Sequence, residues 1–175
     1  MRVVAGALGG RRLRAPPGRS TRPTSDRVRE AVFAMLGSIE DLAVLDLFAG
    51  SGALGIEALS RGASAAVFVD SDHGAAHTVR ANLEALGLSA GVHQSDALSF
   101  LSDTGLGPFG LVFVDPPYDL APRLGRPLSE ALAPVLAPGA LIVSESDKRS
   151  PLALTLPVRR ERTYGDTLIV IHGGD

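Results

Sequence analysis

The ten residues Asp46-Leu47-Phe48-Ala49-Gly50-Ser51-Gly52-Ala53-Leu54-Gly55 join an apolar run, Leu42 to Leu45, to a helical stretch, Ala53 to Ser60. Gly50, Gly52 and Gly55 fit G-x-G-x-x-G, the spacing of a tight strand-to-helix turn in a parallel α/β sheet. A second apolar run, Ala65 to Val69, ends at Asp70, 24 residues after Asp46, where an acid can hold ribose hydroxyls. Few folds accommodate a turn of this kind, and the crevice above it is where nucleotides sit in an open α/β sheet.

The remaining chain agrees. Asp72 can cap a helix through Val79, Leu83 and Leu86 that Gly87 closes. Residues 91–94 form a third, weaker strand, 111–114 a fourth and 140–144 a fifth, with a helix expected around 127–136. The early strands are apolar throughout, which points to a parallel sheet covered on both faces. Val158 to Thr163 and Thr167 to His172 flank Tyr164-Gly165-Asp166, a hairpin signal, so the last strands are expected to be antiparallel. Ahead of the sheet, residues 2–5 and 11–14 flank a glycine-bearing turn and read as a short hairpin. Thr24, Ser25 or Asp26 can then cap a helix carrying Val28, Val32 and Leu36, stopped at Gly37.

Charge at Asp46 bears on the ligand. A dinucleotide would set a pyrophosphate against this loop, and a carboxylate four residues before the first glycine repels it. S-adenosylmethionine has no phosphate and carries a sulfonium and an ammonium, which an acid in a partly dry cleft attracts. An oxidoreductase using a nicotinamide therefore ranks last. Around Ser95-Asp96-Ala97 the third strand ends, with donors and acceptors for an adenine; Asp96 equally suits a helix cap.

After the fourth strand comes Asp115-Pro116-Pro117-Tyr118. Prolines end a ladder, but this tetrapeptide also carries chemistry. The lone pair of an exocyclic base amine is delocalised into the ring, so the amine is a poor nucleophile. Asp115 and the Pro116 carbonyl can each accept one of its N–H bonds and steer the nitrogen toward tetrahedral geometry. The prolines hold these acceptors in place, and Tyr118 offers a face for stacking.

Composition narrows the partner. Residues 1–29 hold eight arginines against one acid, Asp26, a net of +7, while the rest of the chain carries nine basic and eighteen acidic residues. A basic arm on an acidic body suits a polyanion. With 45% hydrophobic residues a core is affordable, and with no cysteine there is neither a disulfide scaffold nor a thiol nucleophile. No apolar run reaches membrane-spanning length and no secretion signal opens the chain, so a cytoplasmic protein is expected, with no membrane contact. His73, His77, His93 and His172 lack ligand spacing, and no metal is expected.

Four segments together carry a family likeness: Met1-Arg2-Val3-Val4-Ala5-Gly6 with Gly10-Arg11-Arg12-Leu13, then Arg22-Pro23-Thr24-Ser25-Asp26-Arg27-Val28-Arg29-Glu30, then Val44 through Gly52, then Asp115 through Tyr118. The chain resembles the bacterial 16S ribosomal RNA (guanine(966)-N2)-methyltransferases over nearly its whole length. The resemblance implies a class I methyltransferase: a Rossmann-like, doubly wound, mostly parallel seven-stranded α/β sheet with an antiparallel C-terminal hairpin. It implies S-adenosylmethionine as cofactor, held by Asp46, Phe48, Ala49, Gly50, Ser51, Gly52, Asp70, Ser71, Asp96 and Ala97. Asp115, Pro116, Pro117 and Tyr118 would receive the guanine. Residues 1–37 would be a basic RNA-binding extension using Arg2, Arg11, Arg12, Arg14, Arg22, Arg27 and Arg29, and residues 38–175 the catalytic domain. Relatives often have glutamate where this chain has Asp70, and Glu145 matches a common family acid to which no role is assigned. The partner implied is 16S rRNA, in a small ribosomal subunit or an assembly intermediate. Two other readings stay open: a DNA adenine-N6 or cytosine-N4 methyltransferase, and a non-catalytic RNA-binding assembly factor of the same fold.

Overall fold

The computed structural model describes residues 1–17 and 25–173. A seven-stranded sheet runs β3-β2-β1-β4-β5-β7-β6. Its strands are β1 (Ala43–Leu47), β2 (Ala65–Asp70), β3 (Gly91–Gln94), β4 (Phe109–Val114), β5 (Leu136–Asp147), β6 (Val158–Tyr164) and β7 (Thr167–His172). The first five are parallel, and β7 pairs antiparallel with both β5 and β6. The expected sheet and its antiparallel end are both found.

Among the described residues five α-helices cover the faces: α1 (Asp26–Leu36), α2 (Ala53–Ser60), α3 (His73–Leu86), α4 (Ala97–Asp103) and α5 (Ala121–Leu132). Successive strand residues face opposite sides, and here both sides are apolar. Val44, Phe68, Leu111 and Phe113 pack with α1, α2 and α3, while Leu45, Leu47, Val69, Val112 and Val114 pack with α4 and α5. Continuous apolar strands in the middle of the chain are the consequence. Ser25 caps α1 through Val28 N, Asp72 caps α3 through Ala75 N, and Gly87 ends α3 in the left-handed region. Among the described residues no helix is long and apolar enough to cross a membrane.

Two expectations shift. The helix placed at 127–136 is α5, which begins six residues earlier, at Ala121; Pro127 lies inside it, and a single 3-10 turn covers Ala133–Val135. Pro122 sits in the first turn, where a missing N–H costs nothing, so the starting proline is Pro122 rather than Pro127. The fifth strand is also longer than the expected 140–144. It starts at Leu136 opposite Phe109, and a register shift before Leu111 sets residues 137–140, Pro138 and Gly139 among them, against Gly110 alone.

The N-terminal hairpin is reduced to one antiparallel bridge, Arg2 with Arg12, backed by Val3 N to Arg11 O and Gly10 N to Val3 O, both 2.9 Å. It is nonetheless firmly placed. Val3 and Leu13, with Val28, Val32 and Phe33 of α1, join the same apolar cluster as Val44 and Phe113 of the sheet.

Candidate active site

A cleft of about 570 Å³ opens above the carboxyl ends of β1 to β5, within the range of small-molecule sites. Its floor is the glycine turn. Phe48 (φ 62°), Gly50 (φ 58°) and Gly52 (φ 78°) all adopt left-handed backbone, which folds the chain from β1 into α2 within five residues. Phe48 holds this conformation against the steric preference of its own side chain, a feature that clusters at binding sites. Gly55 serves packing instead: a Cβ there would lie 2.4 Å from the Phe68 ring. Gly52 also faces the core, its missing Cβ aimed at Ile56, Phe68 and Val79, and it does not line the cleft. Its expected cofactor contact is thereby corrected to a backbone-shaping role.

Carboxylates organise the turn. Asp46 is buried and its Oδ2 accepts Gly55 N–H at 2.9 Å. Burial pushes its pKa up to about 8; the Gly55 bond opposes this and Asp70 adds to it. Asp70 accepts Gly50 N–H on Oδ2 and Asp72 N–H on Oδ1, each at 2.9 Å. The residue expected to hold ribose thus also fixes the loop, a role that spacing alone does not reveal. Asp96 accepts Leu98 and Ser99 N–H at the start of α4 and lines the cleft as well. Both of its possible roles are therefore compatible. Ala49, Ser51, Ser71 and Ala97 lie on the same wall.

At the other end stand Asp115, Pro116, Pro117 and Tyr118. Asp115 follows β4 directly, and its carboxyl is pushed well above the usual carboxylate range by burial first, then by Glu145 and Asp46. Tyr118 is 41% exposed, an aromatic face open to a planar ligand, and its hydroxyl shares a hydrogen bond with the Thr167 side chain. The glycine loop and the Asp-Pro-Pro-Tyr turn, 60 residues apart in sequence, thus share one cavity. No arginine or lysine is among the described residues that line it.

Sequence reasoning missed Met1, Ala15 and Asn82 among other contributors. Met1 and Ala15 line the cleft, and Ser51 Oγ donates to Met1 Sδ at 3.1 Å. Asn82, buried on α3, binds Arg14 through both N–H (2.8 Å) and C=O (3.0 Å) and donates to Ser51 O at 2.9 Å. It links the N-terminal segment to the glycine loop. A lone asparagine in a helix offers no spacing signal for this.

Arg2, Arg11, Arg12, Arg14 and Arg27 are exposed; Arg2 pairs with Asp26 at 3.2 Å and Arg11 donates to Ala85 O at 3.0 Å. Arg22 lies outside the described residues. Arg29 is a correction: it is fully buried, donating to Arg2 O and to Asp26, with Nε and Nη1 unpartnered among the described residues. Its position on the inner side of α1, one residue after Val28, turns it inward, away from any RNA. Among the described residues no three His, Cys, Asp or Glu side chains group to hold a metal ion.

The model of the family described as "Conserved hypothetical protein 95" matches residues 1–173. The chain belongs to this family. YlbH of Bacillus subtilis is 41% identical over 180 residues, covering 98% of both chains. Ribosomal RNA small subunit methyltransferase D of Escherichia coli is 45% identical over 120 residues, 67% of this chain and 60% of that relative, so the match spans less than two thirds of its length. Among solved structures, yhhF from Escherichia coli superposes with a TM-score of 0.87 at 37% identity, covering 100% of this chain and 98% of that one. The resemblance read from the motifs holds, and the fold is that of the class I methyltransferases.

Proposed function

We propose that this chain is an S-adenosylmethionine-dependent methyltransferase acting on the exocyclic N2 of a guanine in 16S rRNA. The observation that carries this reading is the single cleft joining an acidic glycine loop to the Asp-Pro-Pro-Tyr turn. A diphosphate would meet Asp46, Asp70, Asp115 and Glu145 there with no described cation on the wall; a sulfonium with an ammonium meets favourable charge. Bound in this cleft, S-adenosylmethionine would supply the electrophilic methyl group and retain the electron pair of the broken S–C bond.

The protein's own part is orientation and proton handling. Asp115 and the Pro116 carbonyl take the two N–H bonds of the amine, freeing its lone pair to form the new N–C bond, and Tyr118 stacks on the base. After that bond forms, the nitrogen must lose a proton. Asp115 can accept that proton in its carboxylate form, whose basicity is increased by its raised pKa, and pass it to solvent. The rRNA substrate is supported by the name of the Escherichia coli relative and by the exposed arginines of the N-terminal segment.

Labelled methyl donor, offered with this protein to small subunits from cells that lack it, tests the whole reading. The expected product is one labelled guanine modified at N2; label on adenine, on cytosine or on nothing overturns it. Replacing Arg11, Arg12 and Arg14 with alanine is expected to weaken RNA binding and flatten its salt dependence by about 2–3 in the log–log slope. An unchanged slope would remove these residues from the footprint.

Cofactor binding should also depend on pH. Asp46, with its pKa near 8, is mostly protonated at neutral pH, and a cation beside it requires the carboxylate. Affinity is therefore expected to rise by up to about tenfold per unit between about pH 6 and 7.5, where the cofactor's ammonium stays charged. Asp46→Asn should abolish that slope in calorimetric titrations.

A further inference from the structure

Glu145 is a buried acid of the cleft to which the chemistry above gives no task. It sits in β5, 7% exposed, and lines the cavity. Val114 and Ser144 are partners in the parallel β4–β5 ladder, so the next residues, Asp115 and Glu145, follow from neighbouring positions, and both line the cleft. The Glu145 charge acts on both Asp115 and Tyr118, the acceptor of the amine and the stacking face of the base. The cleft thus presents two adjacent carboxyl groups at the end where the base is received.

We infer that Glu145 accepts the N1–H of the target guanine, and is the residue that admits guanine and turns away adenine and cytosine. This rests on the guanine-N2 reading and deepens it. Guanine places an N–H at N1 directly beside its amine, so two neighbouring acceptors meet two neighbouring donors. In adenine and cytosine the ring nitrogen beside the amine is an acceptor, and its lone pair would face a buried carboxylate. The amine chemistry of Asp115 and Pro116 is common to all three bases; the second acid is not. Like charge between Asp115 and Glu145 is costly in the empty cleft, and contiguous N–H donors relieve it.

The test uses small subunits assembled with 16S rRNA carrying either guanine or 2-aminopurine at the methylated position. The analogue keeps the N2 amine but has a bare N1 acceptor. Wild-type protein is expected to favour guanine by about 100-fold or more in kcat/KM, as a site built to hydrogen-bond one substrate group does when that group is missing. The analogue also lacks O6, so the variant assigns the effect. The carboxamide of Glu145→Gln can either accept from N1–H or donate to a bare N1, and it should bring the two substrates within about fivefold of each other. Cofactor titration confirms that the variant is folded. Parity in the wild-type protein, or an unchanged preference in the folded variant, overturns the inference while leaving guanine methylation intact. If the variant fails to fold, a second analogue decides: 1-deazaguanine keeps O6 and the N2 amine but has C–H in place of N1–H, and parity with guanine in the wild-type protein overturns the inference. Absence of N2 methylation on guanine instead sinks the underlying reading.

Discussion

Asp115→Ala is expected to lower methyl transfer by at least about 1,000-fold while S-adenosylmethionine still binds. The variant loses an acceptor that orients the amine and a group that takes its proton, each typically worth a hundredfold or more. A thousandfold is about 4 kcal/mol of barrier. Asp115→Asn retains a carbonyl acceptor but no basic oxygen, so it should fall between alanine and wild type and separate the two contributions. Labelled-donor turnover and calorimetric cofactor binding measure the two effects independently, and turnover within about tenfold of wild type would strip Asp115 of its role. Stability should move the other way. Burial and Glu145 raise the folded-state pKa of Asp115 above its unfolded value. A carboxyl shifted in that direction is least costly when protonated, and stability is lost as pH rises through the raised pKa. At neutral pH the alanine variant sheds that cost, so its thermal midpoint should be equal to or above wild type. An acid placed where it destabilises the fold is what a functional site demands.

Periodicity and turn chemistry made most of the fold readable. β3 and α2 fall within their expected bounds, and α3 starts after its expected cap, because Asp72, Gly87 and the continuous apolar strands signal locally. β5 resisted because Pro138 and Gly139 mask its first residues, and only pairing with β4 shows that the strand begins before them. The site was legible where a motif is contiguous: the glycine loop and Asp115 to Tyr118 lie on the cleft, apart from Leu47, Gly52 and Gly55. Contributions assembled by tertiary contact were not. Asn82 gives no signal in sequence, and Met1 and Glu145, marked there by family likeness alone, acquire a place in the site only through the register of β4 with β5 and the seat of the N-terminal segment on α2 and α3. Arg29 failed for the converse reason: a count of charges does not distinguish the inner face of a helix from the outer.

Glu57 explains how the basic segment is held in place, and its loss is expected to be the largest stability effect outside the apolar core. Its position in the short helix α2 gives no hint of burial, yet it is fully buried. Oε2 accepts Val4 N–H at 2.7 Å, and Oε1 accepts Ala5 N–H at 2.9 Å and Arg61 Nε at 2.8 Å. Arg61 in turn lies 4.7 Å over the Phe33 ring of α1. Alongside, Ser60 accepts Leu8 N–H and donates to Ala5 O, and a Cβ on Gly6 would fall 1.9 Å from Ser60 O. One carboxylate therefore joins the hairpin, α1 and α2. Glu57→Ala leaves two backbone donors and a guanidinium without their acceptor, a loss of about 3–5 kcal/mol. For a chain of this length that is a fall of roughly 10 °C in melting temperature. Glu57→Gln keeps one acceptor oxygen but turns an amide N–H₂ toward a backbone N–H, so it should recover only part of the loss. Amide exchange should rise first at Val4 and Ala5. Because Met1 and Ala15 line the cleft while Arg2, Arg11, Arg12 and Arg14 stand on the same segment, RNA and cofactor affinity should fall together in the alanine variant. Cofactor affinity unchanged beside lost RNA affinity would mean that the hairpin and the cleft wall are energetically separate, against the contacts through Asn82 and Met1.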